Sequence, residues 1–170
     1  MTEVKSFPEE VVTKNLWFMR HAQSEQNAGT SASKNSKLSE YGKTQAAQVR
    51  GPCDLLIISP LRRALETYAF SDLKVGRLIV ADCIREIVDG PACELDLEKW
   101  DHNETEEEVM VRIRETLKLL RSQTEKNITI LSHACFLRKL ISELKLEMNG
   151  FVGNAQVVYF RDVNIPSVKT

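Results

Sequence analysis

Five short apolar runs, at about residues 15–19, 54–58, 77–83, 127–131 and 155–160, alternate with segments of helical spacing. Strands separated by helices are joined by crossovers rather than hairpins, so neighbouring strands run parallel and are buried on both faces. The expected fold is α/β: a three-layer sandwich with a mostly parallel central sheet flanked by helices. At 170 residues the chain fits one domain with a sizeable core. Residues 1–13 read as a polar, proline-punctuated extension, 14–161 as the domain, and 162–170 as a fraying tail.

Local signals place the helices. Ser39 reads as the N-cap of one, which Gly51-Pro52 would close. Ser59-Pro60 would open the next with proline at the first helical position, and Leu61, Ala64, Leu65 and Tyr68 would share its apolar face. A third runs from about 104 to 122, capped by Asn103, with a stripe of Val109, Ile113, Leu117 and Leu120. Glu106, Glu107 and Glu108 in its first turn favour the positive end of the dipole and read as solvated. The last, about 135–146, would bury Leu137, Leu140, Ile141 and Leu144.

Charge excludes several functions. Lys+Arg number 23 against 24 Asp+Glu, so no basic surplus suits a nucleic acid or an anionic membrane as partner. No apolar stretch approaches the roughly 18 residues that span a bilayer. The N-terminal residues carry no apolar signal core, so a cytoplasmic location is expected. Cys53, Cys83, Cys93 and Cys135 form no CxxC pair and no zinc-spaced cluster, so they read as reduced packing residues.

The chemistry gathers at strand ends. Two of the three histidines close apolar runs and precede alanine: Leu16-Trp17-Phe18-Met19-Arg20-His21-Ala22 and Ile128-Thr129-Ile130-Leu131-Ser132-His133-Ala134. Carboxyl ends of neighbouring parallel strands share one rim, so these imidazoles can face each other across one pocket. Arg20, Gln23, Ser24 and Asn27 surround His21 in sequence, and a guanidinium with hydroxyl and amide donors suits a tetrahedral oxyanion. In Ser59-Pro60-Leu61-Arg62-Arg63-Ala64-Leu65-Glu66-Thr67, side chains lean toward the helix N-terminus. Arg63 can thus reach back over the rim, while Arg62 reads as solvated. Glu86 follows the third run among apolar neighbours that would desolvate it, as a proton donor near neutrality requires; Asp82 and Asp89 compete for that role.

The order Arg-His, Ser-x-Leu-x-Arg-Ala-x-x-Thr, Glu, Ser-His resembles the histidine phosphatase superfamily, the phosphoglycerate mutase-like enzymes, from about residue 14 to about 160. That resemblance implies a phosphatase-branch enzyme in which His21 is the nucleophile and forms a phosphohistidine. It implies that Arg20, Arg63 and His133 bind the phosphoryl oxygens, with Asn27 completing the pocket and Ser24 and Ala134 among the phosphate-binding positions. Glu86 would protonate the leaving oxygen and then activate water. Glu104, in Asn103-Glu104-Thr105, matches the Gly-Glu-Ser that opens a family helix.

Phosphoryl transfer needs mainly alignment and compensation of charge on three equatorial oxygens. Two arginines and a second histidine supply that compensation, so no metal and no cofactor are expected. The chain departs from the family in two respects: Ala22 and Ala134 stand where glycine is common, and the segment Ile87–Asn103 is short. A positive φ at Ala22 would cost about 1 kcal/mol and displace His21. A mutase needs extra cations to retain a phosphorylated intermediate, whereas this segment carries Asp89, Glu94, Asp96, Glu98 and Asp101 against Lys99 alone. The expectation is therefore a metal-independent phosphomonoester hydrolase acting on a phosphorylated small molecule or phosphoprotein. A phosphate-binding module with little turnover and a mutase-type phosphotransferase are the alternatives. Trp100 and His102 lie near the expected substrate rim.

Overall fold

A computed structural model describes residues 10–31, 35–87 and 103–168. Asp89, Cys93, Glu94, Asp96, Glu98, Lys99, Trp100, Asp101 and His102 lie outside the described residues, as do 1–9 of the expected extension.

The chain forms β1 (Val12–Arg20), α1 (Glu40–Ala47), β2 (Arg50–Ile58), α2 (Arg62–Phe70), β3 (Asp72–Val80), a single 3-10 turn (Asp82–Ile84), α3 (Glu106–Ser122), β4 (Asn127–Ser132), α4 (Ala134–Glu143) and β5 (Val157–Ile165). The strands make one sheet in the order β3-β2-β4-β1-β5. The pairs β2–β3, β2–β4 and β1–β4 are parallel, while β5 closes the β1 edge antiparallel. The mostly parallel α/β sandwich expected from the alternating pattern is therefore the fold.

Helices cover both faces of the sheet. Val109, Ile113, Leu117 and Leu120 of α3 and Phe136, Leu137, Leu140 and Ile141 of α4 pack on Leu16, Phe18, Leu55, Ile57, Ile128 and Ile130. On the other face Ala64 of α2 meets Met19, Leu56, Ile58 and Leu131, all near the carboxyl ends of their strands. Further along that face the cover is partial, and Trp17, Cys53, Asp54, Asn127 and Thr129 line an open groove of about 330 Å³. Among the described residues no helix is long and apolar enough to cross a membrane.

Several boundaries differ from the sequence reading, each for a local reason. Gly51-Pro52 does not end α1; it lies within β2, where Pro52 pairs only with β3 because β4 joins β2 from Leu55 onward. A proline is tolerated there, since the ladder on its other side has not begun. Helix α2 starts at Arg62 rather than Pro60, with Leu61 as N-cap, and its buried residues are Arg63, Ala64 and Thr67 while Leu65 is exposed. The third strand lies at Asp72–Val80, earlier than 77–83. Helix α3 is capped by Thr105, not Asn103, through a capping box in which Thr105 and Glu108 satisfy each other's backbone amides. The expected tail is not frayed from Asp162, because β5 runs on to Ile165 and buries Val163 and Ile165.

Candidate active site

Parallel pairing of β1 with β4 sets Arg20 opposite Ser132, so the next residues, His21 and His133, leave the sheet side by side. The His21 amide donates to the Ser132 carbonyl (3.1 Å), and the two imidazole centroids stand 5.1 Å apart. Both side chains are buried.

The His21 ring is fixed at both nitrogens. Nδ1 lies 2.6 Å from the Ala22 carbonyl, which only accepts, so Nδ1 carries the proton. Nε2 is then the lone-pair nitrogen, and it accepts from Arg63 Nε at 3.1 Å. Burial, and next the Arg63 charge, hold the His21 imidazole well below the usual histidine range. Burial, then Arg63 and His21, do the same to His133. Both rings are neutral at pH 7.

Arg63 reaches this position because it is the second residue of α2, in the first turn, and its side chain leans back to the strand rim; it is 1% exposed. Thr67, one turn further, donates to the Arg63 carbonyl (2.7 Å) and accepts from the Ala22 amide (2.9 Å). The threonine of the Ser-x-Leu-x-Arg-Ala-x-x-Thr run thereby ties α2 to the residue after His21. Ser59 of the same run bonds His133 Nε2 at 2.7 Å. The remaining His133 nitrogen, Nδ1, is buried with no hydrogen-bond partner among the described residues, and so is Nε of Arg20. Arg20 Nη1 donates to the Val152 carbonyl at 3.4 Å.

Past His21 the chain is anchored to α1. Ser39 caps α1 and donates to the Gln23 side chain (2.8 Å), the Gln45 side chain accepts from the Gln23 amide (2.9 Å), and a β-carbon at Gly42 would collide with the Gln23 carbonyl. The Ala22 backbone is not in the left-handed region, nor is that of Ala134, the first residue of α4, so neither alanine strains the site. Ser24 is fully buried, and its hydroxyl accepts from the Asn27 amide within a turn. Asn27 is exposed; its Oδ1 accepts from the Ser24 amide (3.1 Å) and from Asn154 Nδ2 (3.3 Å).

Asn154 also donates to the His21 carbonyl (3.1 Å), a link the sequence did not announce. It sits in the connection to β5, where neither periodicity nor a catalytic neighbour marks it.

Glu86 lies at the head of α4, immediately beyond His133. Its Oε1 accepts from the Phe136 amide (3.0 Å) and its own neighbour Ile87 (2.9 Å), and Oε2 from the Cys135 amide (3.3 Å). The expected apolar surround is thus replaced by three backbone amides, two of them at a helix N-terminus. Of its competitors, Asp82 is exposed and bonded to Arg85 (3.1 Å). Glu104 precedes α3 and is buried against Arg112.

A family model described as the histidine phosphatase superfamily (branch 1) matches residues 16–95. No curated protein matches the chain in sequence. Solved structures share the fold at low identity. A mycobacterial glucosyl-3-phosphoglycerate phosphatase in complex with VO3 has a TM-score of 0.64 and 24% identity, covering 91% of this chain and 100% of that one. A phosphoserine phosphatase from Entamoeba histolytica with 3-phosphoglyceric acid has a TM-score of 0.60 and 20% identity over 92% and 98%. A putative alpha-ribazole-5'-P phosphatase from Escherichia coli has a TM-score of 0.60 and 19% identity over 92% and 100%. Over residues 16–95 the chain is thus similar to the histidine phosphatase superfamily (branch 1), and across nearly its whole length it shares the fold of these solved structures.

Proposed function

We propose that the protein is a phosphomonoester hydrolase that works through a phosphohistidine on His21. The observation that carries this reading is the His21 ring itself: its proton is held on Nδ1 by the Ala22 carbonyl, and its lone pair on Nε2 lies against Arg63, 5.1 Å from a second buried imidazole. A ring that only packed would not need its tautomer set at one nitrogen and a cation at the other.

In this reading a phosphoryl oxygen takes over Arg63, and Nε2 is released to attack phosphorus. Arg63, Arg20 and His133 then face charge on the equatorial oxygens. The N–P bond forms as the bond to the leaving oxygen breaks, and Glu86 gives that oxygen its proton. Glu86, now a carboxylate, takes a proton from water as the water oxygen bonds phosphorus and the N–P bond breaks. Alcohol and inorganic phosphate leave, and both groups return to their starting states. No step calls for a metal. Supporting the hydrolytic outcome, the structural neighbours carry names of phosphatases of small phosphorylated molecules.

The test is chemical trapping in EDTA with a nitrophenyl phosphate. Wild type is expected to release phosphate and to carry acid-labile phosphate on His21; His21→Ala should do neither. Binding of inorganic phosphate with no turnover from pH 5 to 8 would replace the hydrolase by a binding module. Phosphate exchange between phosphoglycerates outpacing release would replace it by a mutase.

A further inference from the structure

Arg112, on the second turn of α3, lies between the core residues Val109 and Ile113 and is 6% exposed. All five of its N–H donors are used. Nε and Nη2 bond both oxygens of Glu104 (2.8 and 2.6 Å), a bidentate pair. Nη1 donates to the carbonyls of Cys83 (3.0 Å) and Arg85 (2.8 Å), and Nη2 also reaches the carbonyl of Glu86 (3.3 Å). Those three carbonyls belong to the turn that carries Glu86.

The same guanidinium lies over the Phe136 ring, 5.1 Å from its centroid, and the Phe136 amide donates to Glu86 Oε1. Arg112 therefore contacts the Glu86 backbone on one side and the residue that holds its carboxylate on the other. Glu104 sits opposite two buried cations, Arg112 and Arg85 (3.9 Å). Burial, then Arg112, push the Arg85 guanidinium down to about 10. A buried ion cluster is a poor source of stability compared with apolar side chains of equal volume, but it fixes geometry.

We propose that Glu104 and Arg112 are positioning residues for the general acid/base, with Arg112 clamping the Cys83–Glu86 turn so that the Glu86 carboxylate stays at the head of α4. The proposal rests on the reading of Glu86 as acid and base given above. Because all of the clamp's bonds to the main chain run to the turn that carries Glu86, a change that keeps the positive charge should slow the steps that need a proton moved and largely spare the attack of His21 on substrates with good leaving groups.

The experiment is a cycle of Arg112→Lys and Glu104→Gln, each in wild-type and Glu86→Gln backgrounds, with alkyl and nitrophenyl phosphates. Expected for Arg112→Lys is a loss of roughly 10-fold or more on alkyl phosphate. Phosphohistidine formation from nitrophenyl phosphate should change by less than about 3-fold, and phosphoenzyme hydrolysis should slow. In the Glu86→Gln background the same change should add less than about 2-fold, since coupled sites are not additive. Equal losses for both leaving groups, or an undiminished loss in the Glu86→Gln background, would overturn the proposal. If Glu86→Gln itself fails to separate the leaving groups, the assignment of Glu86 falls first; if it separates them and Arg112→Lys does not, only the clamp falls. Should Arg112→Lys lose its fold by circular dichroism, Glu104→Gln, of the same shape, decides. Loss of fold in both makes the cluster structural and ends the proposal.

Discussion

Two arginines buried from opposite faces of the sheet put the same guanidinium to different ends. Arg63, on α2, has its Nε on the lone pair of His21 and depresses proton binding at both His21 and His133. Arg112, on α3, faces a carboxylate and three main-chain carbonyls and stacks on Phe136. A cation set against neutral imidazoles leaves positive potential in a water-poor place, which is what an incoming phosphoryl group needs. A cation paired with Glu104 and spread over a turn serves chiefly as frame, and its charge ranks behind those of Arg63 and His21 in depressing His133. In the proposed mechanism the site thus divides into a nucleophile half held from α2 and an acid half held from α3 and α4.

The sharpest way to break that division is Glu86→Gln. Alkyl phosphates, whose leaving oxygen needs a proton, should lose about 10²–10⁴ in rate, while nitrophenyl phosphate should lose far less in phosphoenzyme formation. Stopped-flow release of nitrophenol beside alcohol release from the alkyl ester measures both. An equal loss for the two substrates would move the acid to another carboxylate.

Next in size is Arg63→Met, the counterpart on the other half. Every leaving group should lose roughly 10²–10³-fold together, because charge on the equatorial oxygens is common to all. A loss that varied with the leaving group would merge the two halves. The same variant tests the histidine. With Arg63 in place the nucleophile stays neutral well below the usual value of about 6.5, so phosphoenzyme formation should show no acid limb near that pH. Removing the cation should raise the limb, since Arg63 is the second cause of the depression after burial.

The depressed imidazoles also predict a stability change. Both bind their proton more weakly in the folded state, so below about 6.5 the unfolded chain binds more protons and gains on the native one. Stability should therefore be full above that pH and fall as pH is lowered through it. Denaturant midpoints at pH 7.5 and 5.5 test the sign, and His133→Gln should flatten the difference. An unchanged midpoint would mean that the rings ionise freely in the fold.

The nucleophile half was largely legible in the sequence and the acid half was not. Strand ends announce themselves by an apolar run followed by a polar residue, so His21 and His133 could be placed together from Leu16–Arg20 and Ile128–Ser132 alone. Arg63 could be aimed from helix geometry. Arg112 carried no such mark. An arginine beside an apolar stripe reads as a solvated face, and its carbonyl partners lie 26 to 29 residues away, on a turn that no periodicity predicts. Glu104 was visible only as part of a resemblance, because its meaning depends on that arginine. The misplaced ends of α1 and α2 have a similar origin: Gly51-Pro52 and Ser59-Pro60 are turn signals locally, but the sheet register decides whether a strand absorbs them.

The smallest expected effect tests whether the nucleophile half is tied only to α2. Thr67 is fully buried, accepts from the Ala22 amide and donates to the Arg63 carbonyl. In Thr67→Val the shape is kept but the Ala22 amide loses its acceptor, at a cost of about 1–3 kcal/mol in stability. The Ala22 carbonyl sets the His21 tautomer, so a small shift of that peptide should lower phosphoenzyme formation by a few fold, about 2–10. Thr67→Ser, which keeps the hydroxyl, should recover most of both losses. Because Thr67 touches nothing on the Glu86 side in these bonds, the ratio of alkyl to nitrophenyl rates should stay at its wild-type value. A changed ratio would show that the peptide after His21 also sets the acid, and the two arginines would then have to be read as parts of one frame.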